Sequence, residues 1–260
     1  MDFYLQQLEQ KSIYILREVK ARFKNPAMLW SMGKDSTSML TLCKRAFFGK
    51  IPFPAIFLDS GRDFPETYAF QKKIVKEWGV NLLVAKVEYK KDHISGTVEG
   101  LNKAEALKKL LAEKKFDALI VSIRRDEHGI RAKERTFSPR DKDFRWDFQN
   151  QPPEIFNYIS DFKDASHVRI HPLLHWTELD VWMYTKEKNL PFNPLYLAKN
   201  GKRYRSLGYP EVTVPVESNA SNIDEIIEEL KTTQVAERSG RCLDKEKEYV
   251  MQRLRELGYM

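Results

Sequence analysis

Six consecutive residues, Ser31-Met32-Gly33-Lys34-Asp35-Ser36, combine the groups that hold a phosphate. Gly33 allows the main chain to approach an anion closely. Ser31 and Ser36 supply hydroxyl donors and Lys34 supplies charge. Met39, Leu40, Cys43 and Phe47 follow at helical spacing. They place the segment at a helix N-terminus, where free N–H groups and the positive end of the helix dipole face a ligand. The G-x-x-x-x-G-K-[ST] spacing of the Walker loop is absent, and so is the dinucleotide fingerprint.

Two further polar segments also follow apolar runs. Asp59-Ser60-Gly61, with Phe64-Pro65-Glu66-Thr67 behind it, forms a turn able to hold a nucleoside through Asp59 and Gly61. The segment Ser122 to Arg135 carries Arg124, Arg125, Arg131 and Arg135, and Arg140 and Arg145 come next. The planar guanidinium fork suits sulfate and phosphate oxygens, so this block reads as an oxyanion receptor. Arg131 and Arg135 are four apart, which on a helix puts them on one face. His93, His128, His167, His171 and His175 show no zinc spacing and read as structural. Cys43 and Cys242 form no C-x-x-C pair, and neither is expected to be catalytic.

These segments need a scaffold that brings them to one place. Leu5, Leu8, Ile15, Val19 and Phe23 mark an opening amphipathic helix, ended by Asn25-Pro26. Strands are predicted at Ala27–Trp30, Ala55–Leu58, Leu82–Val87, Ala118–Ile123 and Val168–Leu174. Helices alternate with them: one after Ser36, one from Pro65 to Trp78 capped by Gly79, one over Ala104–Lys114, and one opened by Thr177 with Asp180 as a capping box. Such alternation implies an α/β fold: a doubly wound, mainly parallel five-stranded sheet with helices on both faces. Ligands of open α/β sheets lie beyond the carboxyl ends of the strands, where all three polar segments fall. Residues 1–188 form this domain. Residues 189–260, rich in Pro and Tyr at first and then helical near Ile223–Leu230 and Lys245–Leu257, form a C-terminal extension folding back on the site.

The chain has 260 residues, 42% hydrophobic, with a formal charge of +7. A basic balance suits anionic partners. No window reaches the roughly 20 apolar residues of a membrane span, and the charged N-terminus is not a signal peptide. With two distant cysteines the expected compartment is the reducing cytoplasm.

The loop resembles the S-G-G-x-D-S signature of the PP-loop ATP pyrophosphatases, with Met32 in place of the first glycine. Arg124 to Arg135 with Arg145-Trp146-Asp147 resembles the R-R-D-E-x-x-R-A-K-E-R and R-W-D elements of the sulfate adenylyltransferase small subunits, a family alongside the adenylyl-sulfate reductases. His171-Pro172-Leu173 with Trp176-Thr177-Glu178, Asn193-Pro194-Leu195-Tyr196, Arg205 to Gly208, Val216 to Ala220 and Glu237 to Arg241 are similar to the same family. The chain departs from it at Arg62, where an aromatic is usual, in shorter segments at 93–103 and 198–203, and at Tyr209, where a cysteine is familiar.

The resemblance implies the adenine nucleotide alpha hydrolase-like fold and adenylyl transfer from ATP to sulfate. ATP is then a substrate held at Ser31, Met32, Gly33, Asp35, Ser36, Asp59 and Gly61, with Mg²⁺ bridging its phosphates. It implies Lys34, Arg125 and Arg131 as catalytic residues and Arg124, Arg135, Arg238 and Arg241 as oxyanion contacts. It implies a GTPase large subunit, because the reaction runs uphill, and leaves room for a homo-oligomer. It implies no membrane and no nucleic acid. The alternatives are a reductase of adenylyl or phosphoadenylyl sulfate, whose E-C-G-[LI]-H tail is missing here, and PP-loop adenylation of another small acid or of RNA, whose thiolating members carry cysteine pairs.

Overall fold

The first strand of the sheet is its centre. In the computed structural model, which describes residues 2–88, 98–127, 131, 133–147, 149, 151, 153–156, 161–235 and 237, a six-stranded sheet runs in the order β3-β2-β1-β4-β6-β5. The strands are β1 (Pro26–Leu29), β2 (Ala55–Asp59), β3 (Leu82–Lys86), β4 (Ala118–Ile120), β5 (Phe137–Arg140) and β6 (His167–Ile170). All neighbours are parallel except β5, which pairs antiparallel with β6 at the edge. The five expected strands are present. The correction is the sixth: β5 lies inside the arginine block. Arg131 and Arg135 therefore share no helix. The Glu134 amide donates back to the Arg131 carbonyl in a tight turn, and His171 donates to the Thr136 carbonyl beside the β5 ladder.

Alternate strand residues enter two cores. Met28, Ala55, Phe57, Ala118, Ile120, Val168 and Ile170 pack with α1 (Phe3–Arg22), α2 (Lys34–Ala46), α3 (Pro65–Trp78) and α5 (Glu178–Glu187). Ala27, Ile56 and Leu119 pack on the other face with Leu107 and Leu111 of α4 (Val98–Lys114). Burial on both faces explains the continuous apolar runs of the parallel strands. The middle of the β5 edge is Pro139, which has no N–H and whose carbonyl accepts from Arg140 Nη1 at 3.2 Å.

The capping signals hold. Thr177 Oγ1 accepts from the Asp180 amide and Asp180 Oδ2 from the Thr177 amide. Gly79 closes α3 at φ 61°, a left-handed conformation suited to glycine. Beyond α5 the chain forms a small hairpin, β7 (Lys202–Arg203) with β8 (Val216–Glu217), and α6 (Ile223–Thr232), which packs with Trp182 and Tyr196. The expected helix at Lys245–Leu257 lies outside the described residues.

Candidate active site

β1 and β4 are adjacent and parallel, and the chain departs in opposite directions from their carboxyl ends, β1 toward β2 and β4 toward β6. That is the switch point at which open sheets bind ligands. The loop after β1 reaches it first. Met32 has φ 61° and a fully buried side chain. The glycine of the PP-loop signature is thus replaced at a left-handed position that favours glycine, and the apolar core holds the methionine there. Gly33 is the N-cap of α2. A Cβ on it would stand 3.3 Å from the Tyr196 hydroxyl and 3.4 Å from Ser31 Oγ, so the glycine makes room for Tyr196. That hydroxyl accepts from the Lys34 amide at 2.9 Å. Ser36 Oγ accepts from the Ser31 amide at 3.2 Å.

Lys34 and Arg124, one from each side of the switch point, are fully buried and converge on the carboxylate of Glu237. Arg124 also pairs with Asp35, and its Nε donates to Asp126 at 2.9 Å. Asp126 in turn accepts the Glu178 amide at 2.7 Å, which ties the end of β4 to the start of α5. Glu178 accepts from Arg205 Nε and Nη2 at 2.9 and 2.7 Å and lies 3.9 Å from Lys34. Burial alone would lower the Lys34 ammonium, but Glu237 and Glu178 hold it above its ordinary value. Burial would raise the Glu237 carboxyl, yet Lys34 and Arg124 hold it well below the usual carboxylate range. Glu178 goes the other way, raised by burial against the pull of Lys34. Lys34 and Glu237 thus keep their charges in a place shielded from water.

A cavity of about 200 Å³ opens over this network, walled by Ser31, Gly33, Lys34, Asp35, Ser36 and Glu127 among others. A second, of about 180 Å³, adjoins it through Leu29 and Ser31, with Trp30, Asp63, Thr67, Lys103 and Gly208 in its wall. Together they give a polar compartment that contains Lys34 and the loop serines beside a more apolar one, the division that a triphosphate and its nucleoside require. Asp59 ends β2 and is not in the wall of either cavity, nor is Gly61: Asp59 Oδ1 accepts the Gly61 amide at 2.9 Å and the Tyr68 hydroxyl at 2.6 Å, while Gly61 takes φ 71°. Both residues shape the turn.

The arginines of the block have different partners. Arg124 belongs to the loop network. Arg125 Nη2 donates to both carboxylate oxygens of Glu154 at 2.8 and 2.9 Å and to the Glu134 carbonyl at 2.9 Å, and Nη1 lies 3.2 Å from His175 Nδ1. Arg131 lies with Glu134 and Arg140, and the Nε of Arg135 is buried with no hydrogen-bond partner. Arg238 and Arg241 lie outside the described residues. Sequence reasoning gave no site role to Tyr196, Glu178, Arg205 or Glu237, although each lies in an element it matched to the family. Of the cysteines, Cys43 is buried in α2 with its thiol pushed up by burial, unsuited to nucleophilic work. Cys242 is outside the described residues. Among the described residues no group of three or more His, Cys, Asp and Glu side chains forms a metal cage, and no helix is long and apolar enough to cross a membrane.

Residues 25–215 match the family model described as the phosphoadenosine phosphosulfate reductase domain. The chain is 40% identical to sulfate adenylyltransferase subunit 2 of Pseudoalteromonas translucida, covering 98% of each chain. It is 40% identical to the protein of that name from Zymomonas mobilis, covering 98% of this chain and 97% of the relative. Among solved structures, the fold is shared with Candida glabrata FMN adenylyltransferase in complex with ATP (TM-score 0.60, 18% identity, 96% of this chain and 81% of the other). It is shared too with phosphoadenylyl-sulfate reductase from Candida auris (TM-score 0.54, 16% identity, 82% and 98%).

Proposed function

Since the chain belongs to the sulfate adenylyltransferase subunit 2 family, within the phosphoadenosine phosphosulfate reductase domain group, we propose that its switch-point cavity performs the adenylyl transfer: a sulfate oxygen attacks the α-phosphorus of ATP, giving adenosine 5′-phosphosulfate and pyrophosphate. The observation that carries this reading is the convergence of Lys34 and Arg124 on one carboxylate at the carboxyl ends of β1 and β4. Two buried cations aimed at the same pair of oxygens are a receptor for phosphate oxygens. In this reading Glu237 holds their place and gives way to the β- and γ-phosphates.

The loop from Ser31 to Ser36 receives the leaving pyrophosphate, with Lys34 and Arg124 neutralising its charge. The adjoining cavity at Trp30, Asp63, Thr67 and Lys103 takes the nucleoside. No side-chain nucleophile is needed, because the acceptor attacks directly; catalysis is positioning and charge stabilisation. Mg²⁺ would be carried mainly by the triphosphate, which suits a site offering single carboxylates, Asp35 and Glu127, rather than a cage. The acceptor lies on the β4–β6 side, with Arg131 and Arg135 and, from the tail, Arg238 and Arg241. Arg125 acts as a positioning residue through Glu154. The relatives are named as one subunit of a larger enzyme; we take this chain to work with a second, larger subunit that couples GTP hydrolysis to the uphill reaction.

The test is sulfate-dependent release of pyrophosphate from ATP by the purified chain, alone and with the candidate second subunit and GTP. Formation of adenosine 5′-phosphosulfate is expected, and Lys34→Met should abolish it. Pyrophosphate release that ignores sulfate, or adenylylation of a different acid in a panel, would reject the assignment.

A further inference from the structure

The sheet order places β2 beside β1 on the side away from β4, and the two cavities follow that order. The loop cavity lies over β1 and beyond β4, at Ser31 and Val121 to Ile123. The second lies over β1 and β2, at Leu29 and Ile56 to Leu58. They meet at Leu29, Ser31 and Leu207, which line both. A nucleotide with its phosphates on the Ser31 to Ser36 loop passes its sugar along these shared residues. Its base then reaches the far wall of the second cavity.

Three elements build that wall. Asp63 stands in the loop between β2 and α3, Thr67 in the first turn of α3, and Lys103 on α4. Among the described residues Asp63 is the one carboxylate and Lys103 the one cation lining this cavity. Asp63 is half-buried, and its Oδ2 accepts from Ser60 Oγ at 3.2 Å. Burial raises its carboxyl against the pull of Lys103 and Ser60. Lys103 Nζ sits 5.0 Å from the centre of the Tyr209 ring. Thr67 Oγ1 is already engaged, accepting from Asn193 Nδ2 at 3.0 Å. The loop that carries Asp63 is pinned across the cavity. Phe64 packs on Tyr204 with ring centres 5.0 Å apart, and Arg62 lies 3.6 Å from Glu211. These contacts flank Leu207 and Gly208, which close the wall. A flat ring held there, against Leu29, Leu58 and Leu207, meets one acidic and one basic side chain.

We infer that Asp63 reads the base as adenine by accepting a hydrogen bond from its 6-amino group, with Lys103 as a donor to the same purine edge. A carboxylate only accepts and an ammonium only donates. Adenine sets its 6-amino donor beside a ring-nitrogen acceptor, whereas a 6-oxo purine sets two acceptors side by side. The 6-oxo group would face Asp63 acceptor to acceptor, and a site built to bind a donor rejects a base that lacks one. The inference rests on the adenylyl-transfer reading and adds to it the side chain that selects ATP among nucleoside triphosphates.

Nucleotide affinities are measured calorimetrically on the full chain, with Mg²⁺ and without sulfate. Wild type binds ATP about 10- to 100-fold more tightly than inosine triphosphate, whose purine carries the 6-oxo group. Asp63→Asn keeps an acceptor for adenine but can turn its NH₂ toward that oxygen, so inosine triphosphate gains and the preference is lost. Pyrophosphate, which stays on the loop, binds this variant like wild type and shows that it is folded. Wild type that binds ATP and inosine triphosphate equally, or a folded Asp63→Asn chain that keeps the wild-type ratio, overturns the inference and leaves the adenylyl-transfer reading standing. A preference for GTP that depends on Asp63 overturns it too, because guanine also offers donors to a carboxylate. Wild type that binds no ATP rejects the adenylyl-transfer reading and the inference with it. If Asp63→Asn does not fold, Lys103→Met replaces it: ATP binding weakens about 10-fold, and an unchanged affinity overturns the inference.

Discussion

Replacing Glu237 by Gln removes the carboxylate that Lys34 and Arg124 share. The amide keeps one acceptor oxygen but turns an NH₂ toward the second cation. Breaking a buried pair costs about 3–5 kcal/mol, because the partner charge stays buried. The low end applies: Arg124 keeps Asp35 and Asp126, and Lys34 keeps Asp35 at 3.3 Å and Glu178 at 3.9 Å. With Glu237 almost fully buried, solvent screening takes little from this figure. At roughly 2–4 °C per kcal/mol for a chain near this size, Tm should fall by about 6–12 °C. If Glu237 holds the place of phosphate oxygens, pyrophosphate must displace it in the wild type and not in the variant. Pyrophosphate should then bind the variant about 10- to 100-fold more tightly, up to the ~3 kcal/mol released, and should restore most of the lost Tm. The wild-type carboxyl sits well below its unfolded value, so its contribution is complete above about pH 4.3 and is lost as pH falls toward about 2; the variant should lack that acid-dependent component. Calorimetry with pyrophosphate and thermal melts at several pH values measure all of this. Weaker pyrophosphate binding by a folded Glu237→Gln chain would refute the reasoning, and Glu237 would then be a support for the phosphate cations rather than their occupant.

Three other outcomes follow from the same geometry. His167 and His171 are held neutral by burial, at about 3 and about 4. The unfolded chain therefore binds more protons below pH 6.5, so stability should be complete above that value and fall as pH drops toward 4, with His171→Gln flattening the decline in denaturant midpoints. Cys43 should resist a thiol reagent in the native chain and react only on unfolding, and Cys43→Ala should keep full turnover while losing about 1–2 kcal/mol, a small cavity; rapid native labelling of Cys43 would contradict its burial. Met32→Gly should relieve about 1–2 kcal/mol of left-handed strain but give up a buried side chain worth about 2–5 kcal/mol, so the variant should melt lower than wild type; a higher Tm would mean that strain dominates.

The parts of the fold written in local signals were legible. Each apolar run followed by a polar turn and a helical pattern is a strand–loop–helix unit, and the Thr177–Asp180 box and the Gly79 cap announce their helix ends within a few residues. β5 was not legible, because Phe-Ser-Pro-Arg is short, carries a proline and has no apolar run; a proline is tolerated there only because the strand is at an edge. The four-residue spacing of Arg131 and Arg135 matched a helical face, but the chain turns at Glu134 and pairs with β6 instead. In the site, the loop and its cations were readable from residue type and spacing. Glu237 was not: it lies 203 residues from Lys34, and a search for anion receptors weighs arginines and passes over an acid. The pairing of Arg125 with Glu154 was equally hidden, since a cation's partner decides whether its fork serves a ligand or the scaffold.

Pro139 also has a bearing on how this chain meets other chains. An edge strand invites a further strand through its outward N–H and C=O groups. At the middle of β5 there is no N–H to offer, and the carbonyl is already taken by Arg140. The sheet therefore cannot be lengthened on that side without breaking a native contact. The opposite edge, β3, is without such a stop: Val84 is 48% exposed, and Lys86 supplies the charge that discourages pairing there. Strand-to-strand self-association of the native chain, if it is provoked, should therefore start from β3, and a proline at Val84 should suppress it.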